Sequence, residues 1–219
     1  MVLQGLLFRN PLCKSGIRYV KIYGSRICWH PTIEAMCMKA LIVIDYSYDF
    51  VADDGALTVG APAQALSSHI CDLTRDFLAA GDFVVVANDT HHKGDPYHPE
   101  TKLFPPHNIE GTPGQKLYGE MQRILEDNIA NPNLYYMPKT RYSAFAGTDL
   151  AIKLRERGIT ELHLVGVCTD ICVLHTAVDA YNQGFSIIVH KQGVASFDPQ
   201  GHAWALGHFE HCLGAKIVD

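Results

Sequence analysis

Val165-Gly166-Val167-Cys168-Thr169-Asp170-Ile171-Cys172-Val173 reads as an apolar strand that passes through a tight turn into a helix. The turn delivers Cys172 into the first turn of that helix. Unsatisfied N–H groups and the positive end of the helix dipole there favour a thiolate and can hold an oxyanion. Cys172 is therefore a candidate nucleophile, although two small buried cysteines, Cys168 and Cys172, would give the same pattern.

Outward from this stretch, apolar runs alternate with segments of helical period. Ala40–Ile44 ends at Asp45, and Phe83–Ala87 leads into Asn88 and Asp89. Leu134–Met137 is followed by Lys139. Pro62 suits a helix start, with Leu66, Ile70, Leu73 and Phe77 at three- and four-residue spacing before Gly81. Helices are predicted near 115–127, 148–157 (to Gly158), 170–183 (to Gly184) and 200–213, and strands at 83–88, 162–167, 185–190 and 215–218. Such alternation predicts an α/β fold of three αβα layers, a mostly parallel sheet of about six strands with helices on both faces. In open sheets of this kind ligands bind at the carboxyl ends of the strands. Asp45, Lys139 and Cys172 would then meet at one edge as carboxylate, ammonium and thiol. Taken singly, a strand-end Asp is often a turn former and a strand-end Lys merely solvated.

The segment Asn88-Asp89-Thr90-His91-His92-Lys93-Gly94-Asp95-Pro96-Tyr97-His98-Pro99-Glu100 opens a long loop, and His107 follows Pro105-Pro106. Asp89 and His91, two apart, point the same way in extended backbone. With His107 they make a mixed N/O set suited to one divalent ion, Zn²⁺ first, with Mn²⁺ or Fe²⁺ as alternatives. Glu100 is a further ligand candidate, directly or through water. Spacing alone does not separate these from His92 and His98, nor a metal site from a His-rich surface loop. Long ordered loops are usually functional. Phe50, Phe104 and Tyr142 lie beside these groups and would sandwich a flat ring, or simply pack in the core.

The order of Ile44-Asp45-Tyr46-Ser47-Tyr48-Asp49-Phe50, Asp89-Thr90-His91, Lys102-Leu103-Phe104-Pro105-Pro106-His107, Lys139 and Gly166–Cys172 resembles the bacterial nicotinamidases (pyrazinamidases) of the isochorismatase-like cysteine hydrolases. The resemblance covers residues 38–219. The Asp, Lys and Cys mark the wider superfamily, and the Asp-x-His with a later His marks the nicotinamidase branch. It implies a catalytic triad of Asp45, Lys139 and Cys172, and a metal site of Asp89, His91 and His107 with Glu100. It also implies a cis peptide at Val167-Cys168 that turns the Cys168 and Cys172 N–H groups toward one oxyanion. The implied reaction is hydrolysis of nicotinamide, and of pyrazinamide, through a Cys172 thioester, feeding NAD salvage. In that scheme Lys139 keeps Asp45 ionised and lowers the thiol pKa. Competing readings are another small-amide or enol-ether hydrolase of the superfamily, a metallohydrolase with a structural Cys172, and a non-catalytic ligand-binding relative.

The chain has 219 residues, 47% hydrophobic and 19% charged, enough for one sizeable core. No run approaches the roughly 18 apolar residues of a membrane span. Seven scattered cysteines without a C-x-x-C pair favour a reducing, cytoplasmic setting. No dinucleotide or P-loop motif, basic stripe or repeat is present, so nucleic-acid and membrane partners are not expected. The expected partner is a small-molecule substrate, and a homo-oligomer is left open. Residues 1–37 hold five basic residues (Arg9, Lys14, Arg18, Lys21, Arg26) against Glu34 alone. Without them 13 basic and 22 acidic residues remain, a net charge of −9. This basic, non-periodic segment reads as an N-terminal extension outside the fold. A transit peptide would look similar, but a start called too far upstream is the simpler account, the protein beginning at Met36 or Met38. The hydrolase domain is assigned to 38–219.

Overall fold

Every apolar run singled out between residues 39 and 219 is a strand of one sheet. The computed structural model describes Lys21–Tyr23, Arg26–Cys28 and residues 39–219. The chain divides into two units, Met1–Met38 and Lys39–Asp219. In the first, β1 (Lys21–Tyr23) pairs antiparallel with β2 (Arg26–Cys28). The rest of the expectation for residues 1–37 lies outside the described residues.

In the second unit β3 (Lys39–Ile44), β4 (Phe83–Asp89), β5 (Leu134–Lys139), β6 (Glu161–Val167), β7 (Ser186–Ala195) and β8 (Lys216–Val218) form a six-stranded sheet in the order β5-β4-β3-β6-β7-β8. Every neighbouring pair is parallel. The expectation was a mostly parallel sheet; the strands are parallel throughout.

Both faces are covered, which is why the central strands read as continuous apolar runs. Ala40, Ile42 and Ile44 of β3 join one core with Leu150 and Leu154 of α5 (Leu150–Glu156), Ala177 and Ala180 of α6 (Leu174–Asn182), and Ala205 and Phe209 of α7 (Pro199–His211). Leu41 and Val43, facing the other way, pack with Ile70 and Phe77 of α3 (Ser67–Ala80) and Met121 and Ile124 of α4 (Glu120–Asp127). Burying one such Leu, Ile, Val, Phe or Met side chain is worth about 1.5–3 kcal/mol. A one-residue slip of β3 would therefore exchange its whole apolar set between two differently shaped cores.

Several boundaries differ from the periodicity. The helix expected from Pro62 to Gly81 is broken: α2 (Ala61–Gln64) ends before Leu66, and α3 starts at Ser67. The helix near 115–127 resolves into a 3₁₀ turn, Pro113–Gln115, and α4, because Gly119 has φ 55° and interrupts the chain between them. The segment 170–183 begins as a π-helical turn, Thr169–Val173, before α6. β7 runs five residues past its expected end, to Ala195, with a register shift against β6 between Leu164 and Gly166. That irregularity hid the second half of β7 from the period-2 pattern.

Candidate active site

The parallel order carries the ends of β3, β4, β5 and β6 to one edge. Asp45 follows β3 directly in left-handed backbone, φ 55°. Its N–H donates to the Ala87 carbonyl at 2.9 Å, and its carboxylate accepts the Asp89 N–H at 2.7 Å. Asp89 and Lys139 are paired residues of β4 and β5, so their side chains emerge side by side. On the other side of β3, Gly166 of β6 has φ 120°, and a Cβ there would lie 1.9 Å from the Ile44 carbonyl oxygen. Only glycine lets the two strands approach this closely just before the turn to Cys172. The Val167-Cys168 peptide is cis, as the resemblance implied.

The three groups meet. Lys139 Nζ lies 2.8 Å from Asp45 Oδ2, 3.6 Å from Asp89 Oδ1 and 3.8 Å from Cys172 Sγ, and donates to the Arg141 carbonyl at 2.9 Å. Asp45 and Lys139 are 1% exposed and Cys172 7%, so their charges act on one another with little screening by water. Burial, with Asp89 nearby, pushes Asp45 up to about 6 despite Lys139. Burial and then the Asp45 carboxylate hold the Cys172 thiol well above its usual range, with Lys139 only partly opposing them. This corrects the expected lowering of the thiol pKa. A helix terminus and an ammonium do favour thiolate, but a second anion beside a fully buried sulfur costs more. Burial and the neighbouring Asp45 thus favour the neutral thiol.

Beside this triad, Asp89, His91, Glu100 and His107 are all buried and each offers one donor atom within 4.8 Å of the others. His91 Nε2 is 2.6 Å from Asp89 Oδ2, and His107 Nε2 is 3.5 Å from Asp89 Oδ2 and 3.6 Å from Glu100 Oε2. His107 Nδ1–H donates to the Pro105 carbonyl at 2.8 Å, which orients the ring and turns Nε2 toward the carboxylates. His107 Nε2 and Asp89 Oδ1 are buried without a hydrogen-bond partner. Burial lowers His107, but the Asp89 and Glu100 carboxylates 3.5 and 3.6 Å from Nε2 prevail and raise it to about 10. Burial would raise Asp89, yet Lys139 and the two histidines hold it below the usual carboxylate range. Two carboxylates, two imidazoles and orphaned donor atoms make a site that fits a divalent cation. His92 is exposed and pairs with Glu110, and His98 is committed to the Thr140 carbonyl at 2.7 Å and the Glu100 N–H at 3.3 Å. The donor group brought together thus includes His91 and His107 and neither His92 nor His98.

A cleft of about 270 Å³ over the thiol is lined by Phe50, Leu57, Glu100, Phe104, Tyr142, Cys168, Ile171, Cys172 and Phe197. The predicted aromatics Phe50, Phe104 and Tyr142 are all in it. Leu57, Ile171 and Phe197 were missed. Phe197 stands two residues beyond the true end of β7, so the strand-end rule would have found it had the strand been drawn to Ala195. Glu100 and Phe104 also line the adjoining cavity of about 460 Å³ that holds His91 and His107, so the thiol pocket and the donor cluster share a wall.

The isochorismatase domain model matches residues 39–219, five-sixths of the chain. The chain belongs to the isochorismatase family. Within that family it is 62% identical over 181 residues to the isochorismatase family protein PncA of Bacillus subtilis (strain 168), covering 83% of this chain and 99% of that protein. The crystal structure of the nicotinamidase/pyrazinamidase PncA from Bacillus subtilis matches with a TM-score of 0.82 at 58% identity, over 83% of this chain and 99% of that one. The pyrazinamidase of Pyrococcus horikoshii, solved in complex with zinc, matches with a TM-score of 0.73 at 28% identity, over 83% and 99%.

Proposed function

We propose that this isochorismatase-family chain hydrolyses nicotinamide to nicotinate and ammonia, with pyrazinamide as a second substrate, through a thioester on Cys172. The observation that carries this reading is the wall shared by the thiol cleft and the Asp89, His91, Glu100, His107 cluster. A ring over the thiol is thereby placed beside a cation site. The similarity to PncA nicotinamidases supports the same substrate class.

Asp45 accepts the thiol proton as Cys172 Sγ attacks the carboxamide carbon. A base raised to about 6 is better matched to that task near neutrality than an ordinary carboxylate. The N–H groups of Cys168 and Cys172 would hold the oxyanion; loss of one such donor costs about 2.7–4 kcal/mol. Asp45 then returns its proton to the departing nitrogen, which leaves as ammonia and not as an amide anion. Water hydrolyses the thioester with Asp45 again as base. Lys139 balances the negative charge on Asp45, so that the base is ionised at the start of each half-reaction. Asp89, His91, His107 and Glu100 would hold one divalent ion, zinc by the character of the donor set and the Pyrococcus relative. When bound, that ion supplies an electrophilic coordination position for a ring nitrogen. Phe50, Phe104 and Tyr142 bound the ring.

No helix among the described residues is long and apolar enough to cross a membrane. We place the enzyme in the cytoplasm on its dispersed cysteines, of which Cys71, Cys168, Cys172 and Cys212 among the described residues are free. The deciding experiment measures ammonia release from nicotinamide by the wild type and by Cys172→Ala. The expected result is turnover by the wild type and none by the variant, with nicotinamide binding nearly intact. Substantial release by Cys172→Ala would remove the thioester mechanism.

A further inference from the structure

We propose that Asp49 is a positioning residue that aligns the donor cluster, holding His107 through the backbone that follows it. The inference rests on the metal-site reading above. Asp49 lies in the first turn of the short helix α1 (Tyr48–Val51), four residues after Asp45, and its side chain reaches neither thiol nor cluster. Its Oδ2 accepts the N–H of Asn108, the residue after His107, at 2.7 Å. Asn108 is fully buried in left-handed backbone, φ 45°. Its amide oxygen accepts from Ser47 Oγ at 2.8 Å, and its backbone carbonyl accepts the His91 N–H at 3.0 Å. One residue thus ties His107 and His91 together, and Ser47 and Asp49 hold it in an unusual conformation. Asp49 Oδ1 accepts the Ala56 N–H at 3.1 Å and its backbone carbonyl the Leu57 N–H at 3.1 Å, so the same residue shapes the loop that brings Leu57 to the cleft.

Gly114 gives independent support. A Cβ at that position would sit 2.1 Å from Asp49 Oδ2 and 2.5 Å from Oδ1. The backbone of the 3₁₀ turn Pro113–Gln115 closes directly on one side of the carboxylate. Asp49 is held between the Asn108 and Ala56 N–H groups with Gly114 against it, and a carboxylate bond to an N–H is of the stronger, charge-assisted kind. Outer partners of this sort set ligand orientation, and losing one typically costs about 10–100-fold in metal affinity.

The test is zinc affinity, measured on the full-length chain by competition with a chelator, with His91→Ala defining background binding. Asp49→Ala is expected to bind zinc about 10–100-fold more weakly. Asp49→Asn should fall between that and wild type, because one carbonyl oxygen can still accept the Asn108 N–H. Gly114→Ala should weaken binding in the wild-type background by pushing the carboxylate aside, and should add less than about twofold in the Asp49→Ala background. Zinc affinity of Asp49→Ala within twofold of wild type would overturn the proposal, as would an equal cost of Gly114→Ala in both backgrounds. If Asp49→Ala does not fold, wild-type affinity in both Asp49→Asn and Gly114→Ala overturns it. A wild type that binds no zinc above the His91→Ala background removes the metal-site reading itself, a different failure.

Discussion

Two buried histidine environments on this sheet are driven in opposite directions. His107 sits at the strand-end edge between Asp89 and Glu100, and although burial alone would lower it, those carboxylates carry it up to about 10. His190 of β7 sits mid-sheet, with Nε2 2.8 Å from Nδ1 of His163 on β6 and its ring centroid 5.6 Å from that of His69 on α3. Burial, then the neighbouring imidazoles and Lys39, push it down to about 4. Burial acts against charge in both places; the neighbours decide the outcome. Two carboxylates, Asp89 and Glu100, suit the edge to a cation, whereas the other cluster has a single carboxylate, Glu161, 3.1 Å from His163 Nε2, too little to offset burial, and the two imidazoles stay a neutral hydrogen-bonded pair inside the fold.

The largest expected effects test the charged side of this comparison. Asp45→Asn removes the proton acceptor and should lower kcat/KM for nicotinamide by about 10²–10⁴-fold. Lys139→Ala should cost a similar amount, because it leaves Asp45 and Asp89 buried as two unbalanced carboxylates. It should also move alkylation of Cys172 by iodoacetamide to higher pH, because the Lys139 charge opposes the raised thiol pKa. An identical labelling profile in wild type and Lys139→Ala would show that the ammonium is not coupled to the sulfur.

Next comes the cation itself. His91→Ala should lose the bound ion and bind nicotinamide weakly, while benzamide, which lacks the ring nitrogen, should be a poor ligand for both proteins. Orientation of a bound ring can be worth several kcal/mol, so the difference should be plain in binding isotherms. Equal turnover of benzamide and nicotinamide by the wild type would sink the ring-nitrogen role.

How much of this was legible in the sequence follows from where information is local. Asp45, Lys139 and Cys172 each end an apolar run or follow one closely, and the parallel rule alone puts strand ends together. The donor set was legible as residue types but not as a choice of histidines. What occupies His98 Nε2 is the Thr140 carbonyl, 42 residues away in the chain. Leu57 and Ile171 carry no local signal, since an apolar residue in a loop reads the same whether it lines a cleft or packs in a core. The raised thiol pKa was illegible for a deeper reason. Motif and helix terminus argue for thiolate, and only the depth of burial, a property of the whole fold, reverses the sign.

A smaller effect probes the neutral cluster. His190 and His163 both lie below the ordinary histidine value of 6.5 in the folded state, His190 at about 4. The unfolded chain therefore binds more protons between those values. The pair's contribution to stability is complete above about 6.5 and is lost as pH falls toward 4. Asp45 acts oppositely: raised from 3.8 to about 6, it favours the folded state more as pH falls through that window. His190→Gln keeps a hydrogen-bonding side chain but removes one titration. Urea midpoints measured from pH 7 to 4.5 should fall less steeply for this variant than for wild type. Parallel curves would mean that acid sensitivity arises elsewhere.

The smallest expected effect separates both clusters from the N-terminal extension. Every side chain named in either cluster lies between Lys39 and Asp219, the same span matched by the family model, and the alignment to Bacillus subtilis PncA covers 181 residues, 99% of that protein. We propose that residues 38–219 suffice as the hydrolase domain. Removing residues 1–35 takes away the five basic residues and Glu34, so the isoelectric point should fall. The kcat/KM for nicotinamide and the urea midpoint at pH 7 are expected not to change, since the core and the site residues all belong to residues 39–219. A drop in the midpoint would show that the extension contributes to the stability of the domain. A change in kcat/KM alone, with the midpoint constant, would place its influence at the strand-end edge and not in the core.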